Sequence, residues 1–153
     1  MKKTDYLRKI LNATVYDVAR VTPLDEAAEL SRRFGARFLL KREDLQPIHA
    51  YKIRGAYNKM SQLPRAALDK GVICASAGNH AQGVALSARK LGCKATIVMP
   101  VTTPEIKINA VKSYGASIVL HGDSYSDTYE ELERQIAERH YTYIAPFDDP
   151  DVI

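Results

Sequence analysis

Residues 71–93 read GVICASAGNHAQGVALSARKLGC and join a short apolar run, a turn of small residues and a helical pattern. Residues 72–75 are apolar throughout, as in a buried strand, and the segment after Asn79 has the spacing of a helix that ends at Gly92. A strand, a tight turn and a helix in this order are typical of α/β proteins with a parallel sheet. This stretch therefore predicts the fold class.

The same alternation continues to the end of the chain. Further strands are predicted in KATIVMP (94–100), SIVLHG (117–122) and YTYIAPF (141–147), with helices in residues 103–116 and 124–140 between them. These strands are continuous apolar runs, so both faces of the sheet should be covered by helices. We expect an α/β fold, a three-layer parallel sheet with flanking helices.

The first half of the chain is less regular. Helices are predicted at about residues 4–11 and 53–62, and a strand is predicted in RFLLKRED (37–44). Thr22 and Pro23 are a helix-start signal, and the apolar spacing that follows predicts a helix that ends at Gly35.

Composition excludes several classes of function. The chain has 153 residues, 46% hydrophobic and 26% charged, which is typical of one folded domain. The net charge of +4 comes from scattered basic residues, so no nucleic-acid partner is expected. Without a segment typical of a signal peptide or membrane span, we expect a cytoplasmic protein with no membrane partner. Cys74 and Cys93 lack metal-ligand spacing, which predicts free thiols and no metal.

The turn in residues 75–83, ASAGNHAQG, is a candidate anion site. Backbone N–H groups at a helix N-terminus are unpaired, and the helix dipole favours a carboxylate or phosphate there. Small residues let a ligand approach the backbone, and polar ones line the rim; in order they are Ser76, Ala77, Gly78, Asn79 and His80. Alternatively, Ser76 or Asn79 caps the helix and Gly78 shapes the turn. The spacing matches neither G-x-G-x-x-G nor a P-loop, so NAD and ATP are not expected.

Lys52 is the second candidate, in the stretch QPIHAYKIRGAYNKM (46–60). It lies between Tyr51 and Ile53, just before Arg54 and Gly55 open a helix. A lysine amine partly withdrawn from water is a good nucleophile toward a carbonyl, as a Schiff-base lysine must be. The alternative is a surface lysine whose stem packs while its ammonium stays in water.

Together these motifs resemble a known enzyme family. KREDLQPIHAYKIRGA (41–56), GVICASAGNHAQGVALSARKLG (71–92) and ATIVMP (95–100) resemble the N-terminal half of the catalytic domain of biosynthetic threonine dehydratases, also called threonine ammonia-lyases. These belong to the tryptophan-synthase-β-like, fold type II, family of pyridoxal-phosphate enzymes. The resemblance runs from about Val15 to the final PFDDPDVI (146–153) and includes VTPL (21–24).

The resemblance implies roles for individual residues. Lys52 is the catalytic lysine that forms the Schiff base with pyridoxal 5'-phosphate, and Asn79 contacts the 3-hydroxyl of the cofactor ring. The turn at residues 76–80 receives the substrate carboxylate. The implied reaction is α,β-elimination of L-threonine to 2-oxobutanoate and ammonia, the first step of isoleucine biosynthesis, with Lys52 as base.

Alternatives within the same fold are a serine dehydratase, an amino-acid racemase or a β-replacement enzyme. Ala50 and Tyr51 stand where the threonine dehydratase pattern often has Ser-Phe, which weakens the preference for threonine over serine. A further alternative is a non-catalytic fragment that needs a partner chain.

The resemblance also implies a domain division. Residues 1–54 correspond to the N-terminal part of a large cofactor domain, 55–147 to a small mobile α/β domain, and 148–153 to the return to the large domain. The family's glycine-rich phosphate loop has no counterpart among the 8 glycines, none of which are clustered. We therefore expect a truncated or split form, related to full-length enzymes that are homo-oligomers acting on small amino acids.

Overall fold

The protein is described by a computed structural model that covers residues 5–153. Its helices are α1 (Asp5–Asn12), α2 (Ala28–Phe34), α3 (Lys52–Ser61), α4 (Arg65–Lys70), α5 (Asn79–Leu91), α6 (Glu105–Ser113) and α7 (Tyr125–Arg139). Its strands are β1 (Leu24–Glu26), β2 (Leu39–Lys41), β3 (Val72–Ala75), β4 (Ala95–Met99), β5 (Ser117–Leu120) and β6 (Thr142–Tyr143).

The main sheet has the strand order β5-β4-β3-β6, and all neighbouring strands are parallel. Every residue of β3 and β4 is buried. Because side chains alternate along a strand, Cys74 and Ile97 face a core shared with α3 and α5, whereas Ile73 and Val98 face a core shared with α7. The predicted three-layer parallel α/β fold is confirmed.

The region before the main sheet differs from the prediction. Residues 24–26 form β1, which pairs antiparallel with β2, and the helix begins only at Ala28. The cause is non-local: the carbonyl of Pro23 accepts the Arg42 N–H at 3.1 Å, which continues the pairing. Backbone pairing with a distant segment overrides the local helical pattern. The predicted end at Gly35 is confirmed, with this glycine in the left-handed conformation at φ 61°.

Smaller differences concern the helix bounds. α1 covers nearly all of the first predicted helix, whose residue Thr4 lies outside the described range. α3 begins one residue before the predicted start, at Lys52 itself. The short helix α4 was not predicted, and β6 is only 2 residues long within the longer predicted strand.

A buried polar network fixes the approach to α3. The side chain of Gln46, 1% exposed, accepts a hydrogen bond from the Arg20 N–H at 2.8 Å and donates to the Arg20 carbonyl at 2.9 Å. Glu43 accepts hydrogen bonds from the Thr22 hydroxyl at 2.6 Å and from Arg54 Nε at 2.8 Å. The bond from Arg54 is the main reason that the pKa of Glu43 falls to about 2. These contacts hold the start of α3 in place.

Candidate functional site

Lys52 is the first residue of α3 and is partly buried. Its Nζ donates a hydrogen bond to the main-chain carbonyl of Pro146 at 2.6 Å and lies 5.5 Å from the centre of the Tyr51 ring. Pro146 follows β6, so this bond joins the start of α3 to the C-terminal edge of the sheet. The amine is therefore held in one direction by an uncharged carbonyl partner.

The turn at residues 76–80 leads from the end of β3 into α5, whose first two residues are Asn79 and His80. The Ser76 N–H donates to the Val98 carbonyl at 3.0 Å, and its hydroxyl accepts the Gly78 N–H at 3.2 Å. Gly78 is the N-cap residue of α5, and no side chain caps this helix. A Cβ atom at Gly78 would meet no atom within 4 Å. The helix N-terminus therefore opens onto free space, where its unpaired N–H groups can receive an anion.

The last two residues of this turn, Asn79 and His80, point to different environments. Asn79 is exposed, whereas His80 is 3% exposed and its Nε2 lies 2.9 Å from the Ile144 carbonyl. Burial is the main reason that the pKa of His80 falls to about 4. The positive charge of Lys52 lowers this pKa further, whereas the hydrogen bond to the Ile144 carbonyl raises it. A carbonyl only accepts, so neutral His80 donates from Nε2, and its buried Nδ1 has no partner among the described residues. The ring thus anchors the turn to the segment after β6.

Gly83 brings the lysine and the turn together. A Cβ atom on Gly83 would lie 3.2 Å from the Lys52 carbonyl oxygen and 3.3 Å from the Ala56 Cβ. A glycine inside a helix costs about 0.5–1 kcal/mol relative to alanine, and here it lets α5 approach α3 closely. Lys52 and the turn therefore share the C-terminal edge of the parallel sheet, where open α/β proteins bind their ligands.

A groove of about 660 Å³ is lined in part by Lys52. It is formed by α1, the start of α3 and the last residues of the chain, and exposed aromatic side chains line it: Tyr6, Tyr16, Tyr51 and Phe147. The turn at residues 76–80 is not part of its lining. Lys52 thus borders the groove, whereas the candidate carboxylate turn does not line it.

Several residues that shape the site were missed by the sequence analysis. Pro146 and Ile144 act through main-chain carbonyls, which any residue carries, so no side-chain pattern could reveal them. Gly83 did offer a signal, because a glycine within a helix indicates a close approach.

His80 predicts a specific pH dependence of stability. Its folded pKa of about 4 lies below the ordinary value of 6.5, so the unfolded chain binds more protons between these values. The stability that neutral, buried His80 contributes is therefore fully present above pH 6.5 and is lost as the pH falls toward 4. Between about pH 7 and pH 5, we expect a loss on the order of 2 kcal/mol in the free energy of unfolding.

Urea unfolding of the wild type and of His80→Gln at the two pH values tests this expectation. The variant should lose less stability on acidification, while His121→Gln, a change at an exposed histidine, should behave as the wild type. Equal losses in the wild type and His80→Gln would contradict the assignment.

The sequence profile of the family described as "Pyridoxal-phosphate dependent enzyme" matches residues 15–153. The chain is similar to "Threonine dehydratase 1 biosynthetic, chloroplastic" of Solanum lycopersicum, with 58% identity over 97% of this chain and 25% of that protein. It is similar to "L-threonine dehydratase biosynthetic" of Burkholderia multivorans, with 53% identity over 100% of this chain and 31% of that protein. The chain thus spans about a quarter to a third of the length of these relatives.

Solved structures agree with the fold. The processed form of threonine deaminase isoform 2 from Solanum lycopersicum matches with a TM-score of 0.93 and 52% identity, over 97% of this chain and 41% of that one. Maize serine racemase matches with a TM-score of 0.91 and 30% identity, over 97% of this chain and 45% of that one. Within residues 5–153, no helix combines the length and the apolarity needed to cross a membrane.

Proposed function

This chain belongs to the family of pyridoxal-phosphate dependent enzymes, and from that premise we propose that it forms part of a threonine dehydratase. The reaction would be the α,β-elimination of L-threonine to 2-oxobutanoate and ammonia, the first step of isoleucine biosynthesis. Relatives named threonine dehydratase, at 46–59% identity over 97% of this chain, support this choice. The observation that carries the proposal is the Lys52 amine, held at the sheet edge close to the open N-terminus of α5.

The described residues fit a covalently held aldehyde cofactor. Lys52 offers a partly buried primary amine with an uncharged hydrogen-bond partner, and Gly78 leaves the N-terminus of α5 open to an anion. When bound, pyridoxal phosphate supplies an electron sink for the negative charge left at the substrate Cα. The fold is the tryptophan-synthase-β-like α/β fold of this family.

The residues of this chain would bind, orient and move a proton. In this proposal Lys52 Nζ attaches the cofactor and, once released, takes the proton from the substrate Cα. N–H groups of the turn at residues 76–80 hold the substrate carboxylate, because a helix N-terminus favours an anion. The exposed Asn79 amide contacts the 3-hydroxyl of the cofactor ring. His80 takes part through its main chain, since its ring is turned inward to Ile144.

The domain division remains a proposal. We place residues 1–54 in a large cofactor domain, 55–147 in a small mobile domain and 148–153 at the return to the large one. The first boundary falls inside α3, one turn after Lys52, so the amine would lie at the junction of the two domains. A homo-oligomer of the complete enzyme and a cytoplasmic location also stay predictions; three of the similar plant proteins carry "chloroplastic" in their names.

A second candidate is a serine dehydratase or racemase of the same fold. The similarity to maize serine racemase favours it, as do Ala50 and Tyr51 in place of Ser-Phe. Assays of ammonia release from L-threonine and L-serine, and of D-serine formation, distinguish the candidates.

Covalent trapping tests the proposed role of Lys52. The chain is incubated with pyridoxal phosphate and reduced with borohydride, and its peptides are analysed by mass spectrometry. We expect labelling of Lys52 about tenfold above that of the other lysines, because a positioned amine reacts faster than a free one. Lys52→Ala should lose this adduct and keep the background labelling. Scattered labelling that is the same in both proteins would overturn the proposal.

A further inference from the structure

The last residues of the chain lie along α3, and we call residues 146–153 the C-terminal strap. The strap contacts α3 over its length: Lys52 Nζ donates to the Pro146 carbonyl at 2.6 Å, and Asn58 Nδ2 donates to the Asp151 carbonyl at 2.7 Å. Between them, a Cβ atom on Gly55 would overlap the carbonyl oxygen of Val152. The backbone of the strap therefore rests directly on the helix that begins with the candidate catalytic lysine.

An ionic anchor holds the strap near the other end of α3. Lys59 Nζ lies 3.0 Å from Asp149 Oδ2 and 3.5 Å from Asp151 Oδ2. The exposed fractions of these three side chains are 23%, 18% and 27%, so the ion pairs are partly shielded from water. Such pairs are stronger than the exposed ion pairs of a protein surface, which contribute little. Lys9 adds a second ion pair to Asp151, at 3.0 Å.

The strap folds back on itself at this anchor. Asp149 accepts the Asp151 N–H on its carboxylate and the Val152 N–H on its carbonyl, both at 2.9 Å. Pro146 and Pro150 have fixed φ angles, and Asp148 is held in the left-handed conformation at φ 63°. Only two residues separate Asp149 from Pro146, so we expect a displacement at Asp149 to shift the Pro146 carbonyl.

We propose that Lys59 is a positioning residue for the Lys52 amine. Lys59 holds the strap through Asp149 and Asp151, and the strap holds the amine through the Pro146 carbonyl. Without Lys59, the strap keeps its contacts to Asn58 and Lys9 but loses both ion pairs to α3, so the Pro146 carbonyl holds the amine less firmly in one direction. This inference rests on the proposed function, because it concerns the reaction of Lys52 with an aldehyde.

The test measures the rate at which pyridoxal phosphate and borohydride label Lys52 in the full chain. The amine condenses with the aldehyde and expels water, and borohydride delivers the hydride that makes the bond permanent. Lys59→Met removes both ion pairs but keeps an unbranched side chain, and we expect labelling of Lys52 about tenfold slower. Lys59→Arg keeps the charge and should restore the rate, and Lys112→Met, a change at an exposed lysine on α6, should match the wild type.

A second probe separates this inference from the proposed function. Formaldehyde with borohydride methylates lysines without a cofactor site, so it reports the freedom of the Lys52 amine directly. Formaldehyde needs no binding site, so in Lys59→Met we expect methylation of Lys52 to be about threefold faster, because the amine is no longer held in its hydrogen bond to Pro146.

If wild-type Lys52 is methylated but not labelled by pyridoxal phosphate, the proposed function fails, and the methylation rates still decide the role of Lys59. Circular dichroism establishes that each variant is folded under the labelling conditions. Equal reactivity of Lys52 toward both aldehydes in Lys59→Met and Lys112→Met would overturn the positioning role.

Discussion

Replacing Ile97 by alanine is expected to lower the free energy of unfolding by about 2–5 kcal/mol. Ile97 is fully buried in β4, where it pairs with Cys74 of β3 on one side and with Ile118 of β5 on the other. Truncation removes apolar contacts and leaves a cavity that the central strand of a packed sheet cannot close. Domains are commonly stable by about 5–15 kcal/mol, so this loss is a large part of the total.

Urea unfolding followed by circular dichroism measures the effect. The matched control is Ile106→Ala, which removes the same atoms from a side chain on α6 that is 78% exposed. This control should change the stability by less than about 0.5 kcal/mol. Equal losses at the two positions would show that the core does not lie where the sheet register places it.

Replacing Gly83 by valine is expected to damage both the packing and the site. The Cβ position is already 3.2 Å from the Lys52 carbonyl oxygen, and the two γ carbons of valine would need space that α3 occupies. Forcing extra carbons into a packed interface costs about 1–3 kcal/mol, so we expect a loss in that range. Because the displaced element begins with Lys52, the selective labelling of Lys52 by pyridoxal phosphate should fall to the background of the other lysines.

Gln82→Val is the control for Gly83→Val. It places the same β-branched residue one position earlier in α5, at a partly exposed site. Helix propensity alone would not lower the stability of Gly83→Val, since valine is a better helix former than glycine. If Gly83→Val were as stable and as selectively labelled at Lys52 as Gln82→Val, the close approach of α3 and α5 would be refuted.

The sequence predicted the alternation of strands and helices from residue 71 onward, because the helices and the buried strands each leave a local pattern of apolar residues. Continuous apolar runs at residues 72–75 and 95–99 are short enough for strands and have no polar face, so they indicated buried parallel strands. The end of α5 at Gly92 was likewise readable, since a glycine there can take the left-handed conformation. Lys52 and the turn at residues 76–80 were named as candidate site residues from the chain alone, and their roles stay predictions.

The tertiary structure decided what depends on contacts between distant segments. The helix predicted after Pro23 gave way to β1 because residues 24–26 pair with residues 39–41, and no local pattern encodes that partner. The inward turn of the His80 ring, the Pro146 carbonyl at Lys52 and the Lys59 anchor of the strap each join residues more than 60 positions apart. Periodicity and turn chemistry act over a few residues, whereas a backbone carbonyl becomes a specific partner only once the chain has folded around it.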